Sequence, residues 1–198
     1  QVNNIFYKIA LILISVTIVS ELSTVCSMFF LKDMPNIGNT LARINGLLTI
    51  TWVVSIACYI VTLGEAYVKK SVFKYIKENK SIKNIIILYF IIVIVYFFIK
   101  FDNVVTDRYA YISGPALYYI YIVGIFTIIV SISTVIRNKA NLTIGKRIPI
   151  FAGIVETILS MIFQLMFPNV LVISGSFVFK LYLVYFMFEN PDLYLIDE

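Results

Sequence analysis

Six long apolar runs dominate this sequence, and they constrain its fold more than any other feature. Each run has roughly the 20 mostly apolar residues that a helix needs to cross a bilayer. Only helices and closed barrels satisfy their backbone hydrogen bonds in lipid, and these runs are too long and continuous for barrel strands. With 61% hydrophobic and 14% charged residues, the sequence predicts an all-α, polytopic membrane bundle of six transmembrane helices. The runs cover residues 5–30, 41–67, 84–101, 115–136, 148–167 and 169–188.

The charges of the connecting loops predict the orientation of the bundle. Residues 69–83 contain six lysines and one acid, and residues 137–147 contain four basic residues and no acid. The alternate loops carry mixed charges or none. Because basic loops stay on the cytoplasmic side, this pattern places both termini in the cytoplasm. The abundance of Ile, Lys, Asn, Tyr and Phe is typical of an AT-rich bacterial genome, so we expect a multi-pass protein of a bacterial plasma membrane.

The composition excludes several kinds of function. The chain has no His, which removes the commonest metal and haem ligand. Its two cysteines, Cys26 and Cys58, lie at depths too different for a disulfide. No paired acids, phosphate-binding glycine loop or protease motif occurs, so we expect no catalytic site, metal or cofactor in these residues. The net charge of +5 follows from the basic loops, which can contact anionic lipid headgroups, so we expect no nucleic-acid partner.

Two charges lie deep inside predicted spans. Glu156 in the fifth run and Lys180 in the sixth are each about eight residues from the cytoplasmic end, roughly 12 Å deep at about 1.5 Å per residue. The short connection between these runs makes them antiparallel neighbours, so the two side chains can meet as an intramembrane charge pair. The pair is either structural or one that a ligand or a conformational change disrupts. Gln164, farther along the fifth run, can hydrogen-bond across helices.

A candidate ligand site lies at the predicted outer ends of the helices. The longest outer loop, FDNVVTDRYAYISG at residues 101–114, is followed by a proline suited to the first helical position. Glu21 and Arg43 lie at similar depths on this side, either as a structural ion pair or at the rim of an outward-facing pocket. The loop is either a wall of that pocket or an ordinary connector. The candidate ligand-binding residues are Asp107, Arg108, Tyr109, Tyr111, Tyr118, Glu21 and Arg43.

The C-terminal stretch FENPDLYLIDE predicts a signalling joint after the last span. The joint consists of Glu189, Asn190, Pro191 and Asp192. It combines a good N-cap, a proline suited to the first helical position and an acid that favours a helix N-terminus. We interpret residues 1–188 as a transmembrane domain and residues 189–198 as the start of an amphipathic, cytoplasmic linker helix. The alternative is a polar tail that ends the protein.

Two segments resemble a known class of membrane receptors. YFMFENPDLYLIDE, at residues 185–198, resembles the junction after the last membrane helix of bacterial receptor histidine kinases with multi-helix input regions. YAYISGPALYY, at residues 109–119, is similar to a Tyr-x-x-Gly-Pro segment at the outer start of a middle helix in such regions. The resemblance implies a sensor domain, a cytoplasmic histidine kinase as output in the same chain, and a homodimer. Some diguanylate cyclases carry similar input regions, which makes a cyclase the second candidate for the output.

The sequence thus predicts a membrane sensor domain for an extracellular or membrane-embedded signal: a small molecule, a peptide, a lipid or the bilayer itself. The signal passes along the sixth run and the Asn190-Pro191 joint to the output domain. Two alternatives stay open. One is a six-helix substrate-binding subunit of a vitamin-type transporter, and the other is a purely structural membrane subunit.

Overall fold

The computed structural model describes residues 2–30, 35–64, 72–106, 110–142 and 144–168, together with 170, 175, 176, 178, 179 and 182. Apart from one two-stranded hairpin, the elements within these residues are helices, which confirms the prediction of an all-α fold at that level. The helices are α1 Val2–Phe30, α2 Pro35–Leu63, α3 Val72–Glu78, α4 Lys80–Phe98, α5 Pro115–Arg137 and α6 Ile144–Met166. The strands are β1 Asp102–Val105 and β2 Ala110–Ser113.

Five helices in the described part of the chain are long and apolar enough to span a bilayer. These spans are Ile5–Phe30, Asn36–Leu63, Lys80–Phe98, Pro115–Arg137 and Arg147–Met166. Their outward faces carry large apolar side chains, such as Val19 of α1 and Ile122 of α5, which are 64% and 60% exposed. So much exposed apolar surface is unfavourable in water and indicates a membrane-embedded protein. The sixth predicted span, residues 169–188, lies almost entirely outside the described residues.

Four of the five long helices begin earlier than their apolar runs, and the residues at the starts of α2 and α4 explain why these two do. α2 begins at Pro35, since proline suits the first helical position, where its missing N–H needs no partner. α4 begins at Lys80 because Asn79 caps it: the Asn79 side-chain oxygen accepts a hydrogen bond from the backbone N–H of Ile82 at 3.0 Å. A short helix that the sequence reading did not predict, α3, precedes this cap. Polar caps and prolines, rather than hydropathy, therefore set these boundaries.

The predicted outer loop, residues 101–114, contains a β-hairpin. Its strands are antiparallel, with Asp102 opposite Ser113 and Val105 opposite Ala110. Gly114 follows with φ +87°, a conformation that side chains with a Cβ rarely adopt. A Cβ at this position would also lie 3.1 Å from the Cβ of Asp102. This tight turn directs the chain into α5, which begins at Pro115 as the sequence predicts.

Helix α2 is the centre of the described bundle. It packs against α1, α4 and α5, and 61% of its most apolar window is buried, compared with 17% to 33% for the other four spans. The start of α2 lies beside the end of α4, where Arg43 reaches Phe97, and beside the start of α5, where Gly46 faces Ile120. The ends of α1, α4 and α6, the starts of α2 and α5, and the hairpin therefore share one end of the bundle. We call it the hairpin end.

Candidate functional site

A cavity of about 90 Å³ lies among the helices toward the hairpin end. Four helices and one strand form its wall, so it lies where most of the described elements meet. Helix α1 contributes Glu21, Thr24, Val25 and Met28; α2 contributes Asn45, Gly46 and Thr49; β2 contributes Tyr111 and Ile112; α5 contributes Leu117 and Ile120; and Gln164 and Pro168 complete it. The wall thus has a polar side from α1 and α2 and an apolar side from α5 and the hairpin.

Glu21 is the most unusual group in this wall. It lies inside the α1 span, where an ionisable side chain is costly and is a candidate functional residue by default. Its carboxylate makes no hydrogen bond or ion pair with any described residue. The carboxylate therefore has unused hydrogen-bonding capacity in the wall of a cavity.

Asn45 presents a second unused polar group from the neighbouring helix. Its side chain is 8% exposed, and the side-chain oxygen has no hydrogen-bond partner within the described part of the chain. A buried polar group left unsatisfied costs about 1–3 kcal/mol. A ligand in this cavity that donates to Asn45 would remove that cost.

The two threonines of the wall offer acceptors only. The hydroxyl of Thr24 donates to the backbone oxygen of Ser20 at 2.7 Å, and that of Thr49 donates to the backbone oxygen of Asn45 at 3.0 Å. Threonine hydroxyls commonly make this bond to the preceding helical turn. Since the hydrogen is already used, each oxygen has only lone pairs left for a ligand.

Helix α6 and the hairpin close the cavity. Gln164 is 9% exposed, and its side-chain nitrogen donates to the backbone oxygen of Pro168 at 3.1 Å. This bond fixes the amide beside the segment that leaves α6. Tyr111 and Ile112 of β2 cover the cavity from the hairpin side. The cavity therefore contacts both the hairpin and the segment that leads to the predicted last span.

The structure brings together only part of the predicted ligand site. Glu21 and Tyr111 line the cavity, whereas Tyr118 is 58% exposed on the surface of α5 and does not. The remaining candidates on the loop, Asp107, Arg108 and Tyr109, lie outside the described residues.

Arg43 has partners other than the predicted ones. Its guanidinium donates to the backbone oxygens of Phe97 at 3.0 Å and Ile99 at 3.2 Å, and its Cζ lies 5.0 Å from the ring centre of Phe101. The predicted structural ion pair between Arg43 and Glu21 does not form among the described residues, because the exposed carbonyls at the end of α4 attract the guanidinium. Arg43 therefore positions helices and does not line the cavity.

The other predicted sites extend beyond what the structure describes. Glu156 lies in α6 and accepts a hydrogen bond from the hydroxyl of Ser160 at 2.8 Å. Lys180, its predicted partner, is outside the described residues, as are all four residues of the joint: Glu189, Asn190, Pro191 and Asp192. The charge pair and the joint therefore stay predictions.

Cys26 and Cys58 are free thiols, as predicted, and the described residues hold no group of three acids or cysteines that could bind a metal.

Sequence reasoning missed Asn45, Thr24 and Thr49 as cavity residues. A signal was available on α2, because Asn45 and Thr49 are four residues apart and so share a helix face. On α1, Glu21 and Thr24 are three apart and share a face in the same way. Two polar faces on adjacent antiparallel helices would have predicted a polar site between them.

Comparisons of the chain with protein-family models, curated proteins and solved structures find no match. The geometry of the cavity and the residues that surround it are therefore the basis for a functional proposal.

Proposed function

We propose that this chain is a membrane sensor domain that receives its signal as a small molecule bound in the hairpin-end cavity. The observation that carries the proposal is a cavity, inside apolar spans, whose wall holds the Glu21 carboxylate and the Asn45 side-chain oxygen, neither of which has a hydrogen-bond partner among the described residues. A fold with no binding role would be more stable with apolar side chains at both positions. The cavity also contacts α1, α2, α5, α6 and β2, so an occupant could change how these elements pack.

We further propose that the hairpin end faces the outside and that both termini are cytoplasmic. Four exposed lysines at the opposite end support this orientation by the positive-inside rule: Lys74, Lys77, Lys80 and Lys83. The charges at the hairpin end are mixed, with the Lys100 nitrogen 3.7 Å from an Asp102 carboxylate oxygen. A ligand would thus enter from the outer side of a bacterial plasma membrane.

The proposed route of the signal begins at α6. The bond from Gln164 to Pro168 connects the cavity wall to the segment that leads into the predicted sixth span. In this proposal that span continues to the joint at residues 189–192, and a cytoplasmic histidine kinase in a homodimer is the output. The resemblance of the joint to receptor kinases supports this output.

Filling the cavity tests this proposal in the intact protein. Thr49→Leu places a larger apolar side chain in the cavity, while Ile129→Leu changes a lipid-facing position on α5 that is 56% exposed. Membrane vesicles containing each variant are incubated with labelled ATP, and acid-labile, base-stable phosphate on the protein is measured. We expect Thr49→Leu to change the initial rate at least about fivefold, since allosteric couplings are typically about 5- to 150-fold, and Ile129→Leu to leave it within about twofold.

The contrary results are informative in different ways. Equal rates for Thr49→Leu and the wild type, in vesicles with equal amounts of folded protein, would show that the cavity is not the input site. A complete lack of phosphate on the wild-type protein would remove the kinase output, and the transporter subunit would become the better proposal.

A further inference from the structure

We infer that the hairpin-end cavity binds a small primary ammonium ion, with its N–H groups toward Glu21 and Asn45 and its carbon chain toward the apolar wall. This inference deepens the proposed function and rests on it for the biological role of the ligand. The binding itself is a separate claim about the chemistry of the wall.

The wall of the cavity offers a ligand more hydrogen-bond acceptors than donors. The Thr24 and Thr49 hydroxyls have already donated to their own helices, the Asn45 oxygen has no partner in the described chain, and Glu21 can only accept when ionised. The Gln164 nitrogen donates to Pro168. A primary ammonium has three donors and no acceptor, so it matches this wall. A carboxylate or phosphate ligand could accept from the Asn45 amide N–H groups, but the ionised Glu21 carboxylate and the Thr24 and Thr49 oxygens would offer it only lone pairs.

The charge of the Glu21 carboxylate also favours a cation. No Lys or Arg nitrogen of the described residues lies within ion-pair distance of the Glu21 carboxylate. Arg43, the basic residue predicted to pair with it, is bound to the carbonyls at the end of α4. A carboxylate inside a bilayer span is costly without a positive partner, and a bound cation supplies that partner. An anion would add like charge to the same site.

The volume and the apolar surface of the cavity favour a small ligand with a short carbon chain. The volume of about 90 Å³ is well below the roughly 300 Å³ at which pockets for drug-sized ligands begin. It therefore fits a molecule of a few heavy atoms. Val25, Leu117 and Ile120 line the same cavity and favour a short alkyl chain over a bare metal ion, which keeps its water or needs more oxygen ligands.

A quaternary ammonium ion is the closest ligand that this wall should reject. It carries the same charge but has no N–H donor, and proteins usually bind it in a cage of several aromatic rings. Tyr111 is the one aromatic residue among the described residues of the wall. Ethylammonium and tetramethylammonium therefore form a matched pair of probes.

The test is ligand-dependent thermal stability of the full chain in lipid nanodiscs. A ligand that binds the folded state raises its melting temperature with increasing concentration, which gives an apparent Kd. Ethylammonium chloride is compared with sodium chloride and tetramethylammonium chloride at equal ionic strength, which removes general salt effects. We expect a saturable stabilisation by ethylammonium alone.

Two variants assign the site. Glu21→Gln keeps the shape of the side chain but removes its charge, and we expect it to raise the apparent Kd for ethylammonium at least about tenfold, since losing one partner of a buried charge pair has a large effect. Asp102→Asn is the matched control, because Asp102 is an acid at the same end of the bundle that pairs with Lys100 and does not line the cavity. We expect the wild-type Kd for this control.

Several results would overturn the inference. The inference is wrong if ethylammonium stabilises the protein no more than sodium chloride does, or if tetramethylammonium stabilises it equally. It is also wrong if Glu21→Gln leaves the apparent Kd for ethylammonium unchanged. The comparison of the three salts on the wild-type protein needs no variant, so it tests the inference even if Glu21→Gln does not fold.

If ethylammonium does not stabilise the protein while Thr49→Leu still changes phosphorylation, the ligand class is wrong and the sensor proposal stands. If ethylammonium binds through Glu21 while Thr49→Leu has no effect on phosphorylation, the sensor proposal fails and the ligand class stands.

Discussion

At the scale of single residues, Gly46 shows how closely the cavity wall is packed. It lies on α2 against Tyr96 of α4, whose ring is fully buried and whose hydroxyl donates to the backbone oxygen of Arg43 at 3.4 Å. A Cβ added to Gly46 would overlap the Tyr96 hydroxyl oxygen and would lie 2.7 Å from Cζ. The ring has no free space to move into, because it also contacts Phe101 and Tyr119.

Gly46→Ala should therefore destabilise the protein. We expect a loss of about 1–3 kcal/mol in the free energy of unfolding, as overpacking a core typically costs. Gly153→Ala on α6 is the control, because no atom lies within 4 Å of the added Cβ, and we expect it to be neutral or stabilising by up to about 1 kcal/mol. Reversible unfolding in mixed micelles measures both. Equal stability of the two variants would show that Tyr96 is not held as described.

The residues of the site could be predicted only in part. Glu21 was predictable, because a charge inside an apolar run stands out in any sequence. Thr24 and Thr49 share helix faces with Glu21 and Asn45, which predicts a polar site between α1 and α2, but a threonine that bonds to its own helix is ordinary in a membrane span, so the cavity itself follows only from tertiary packing. The pairing of Arg43 with Glu21 was wrong because backbone carbonyls at a helix end have no sequence signature.

At the scale of elements, Arg43 connects α2 to the end of α4. The last carbonyls of a helix lack partners within the helix and carry partial negative charge, so they favour a cation. The guanidinium satisfies two of them at once and also covers the ring of Phe101. The planar guanidinium fork suits this task better than a point charge.

Arg43→Met should weaken this connection more than Arg43→Lys. We expect Arg43→Met to lose about 1.5–3 kcal/mol of unfolding free energy, the typical value for hydrogen bonds of a charged group. Arg43→Lys should lose less, because a lysine keeps the charge but not both bonds. Arg137→Met, at an exposed position in the last turn of α5, is the control. Wild-type stability of Arg43→Met in the same unfolding assay would contradict the role given to Arg43.

The existence of the described helices was easier to predict than their ends. Long apolar runs predict membrane helices directly, and α5 and α1 follow their runs closely. The hairpin was not predicted, because strands of four residues give too few positions for an alternating pattern to show. Its register is set by the backbone pairing of β1 with β2, which hydropathy does not report.

At the scale of the whole molecule, the central position of α2 explains where the cavity forms. α2 contacts helices on several sides, so its polar residues Asn45 and Thr49 face protein and not lipid. The sequence could predict a membrane bundle but not this arrangement. Lipid-facing and protein-facing surfaces are both apolar in a membrane, so hydropathy does not tell which helices touch.

A partly polar cavity beside Thr49 is central to the proposed function, and cysteine accessibility tests it most directly. Cys26 and Cys58 are replaced by alanine, and Thr49→Cys is compared with Ile129→Cys in open membranes treated with 2-aminoethyl methanethiosulfonate. Thr49 and Ile129 each lie 14 positions after the first residue of their helix. Because the reactive thiolate forms in water and not in lipid, we predict modification of Thr49→Cys and none of Ile129→Cys. Equal lack of reaction at both positions, in folded protein, would contradict the cavity.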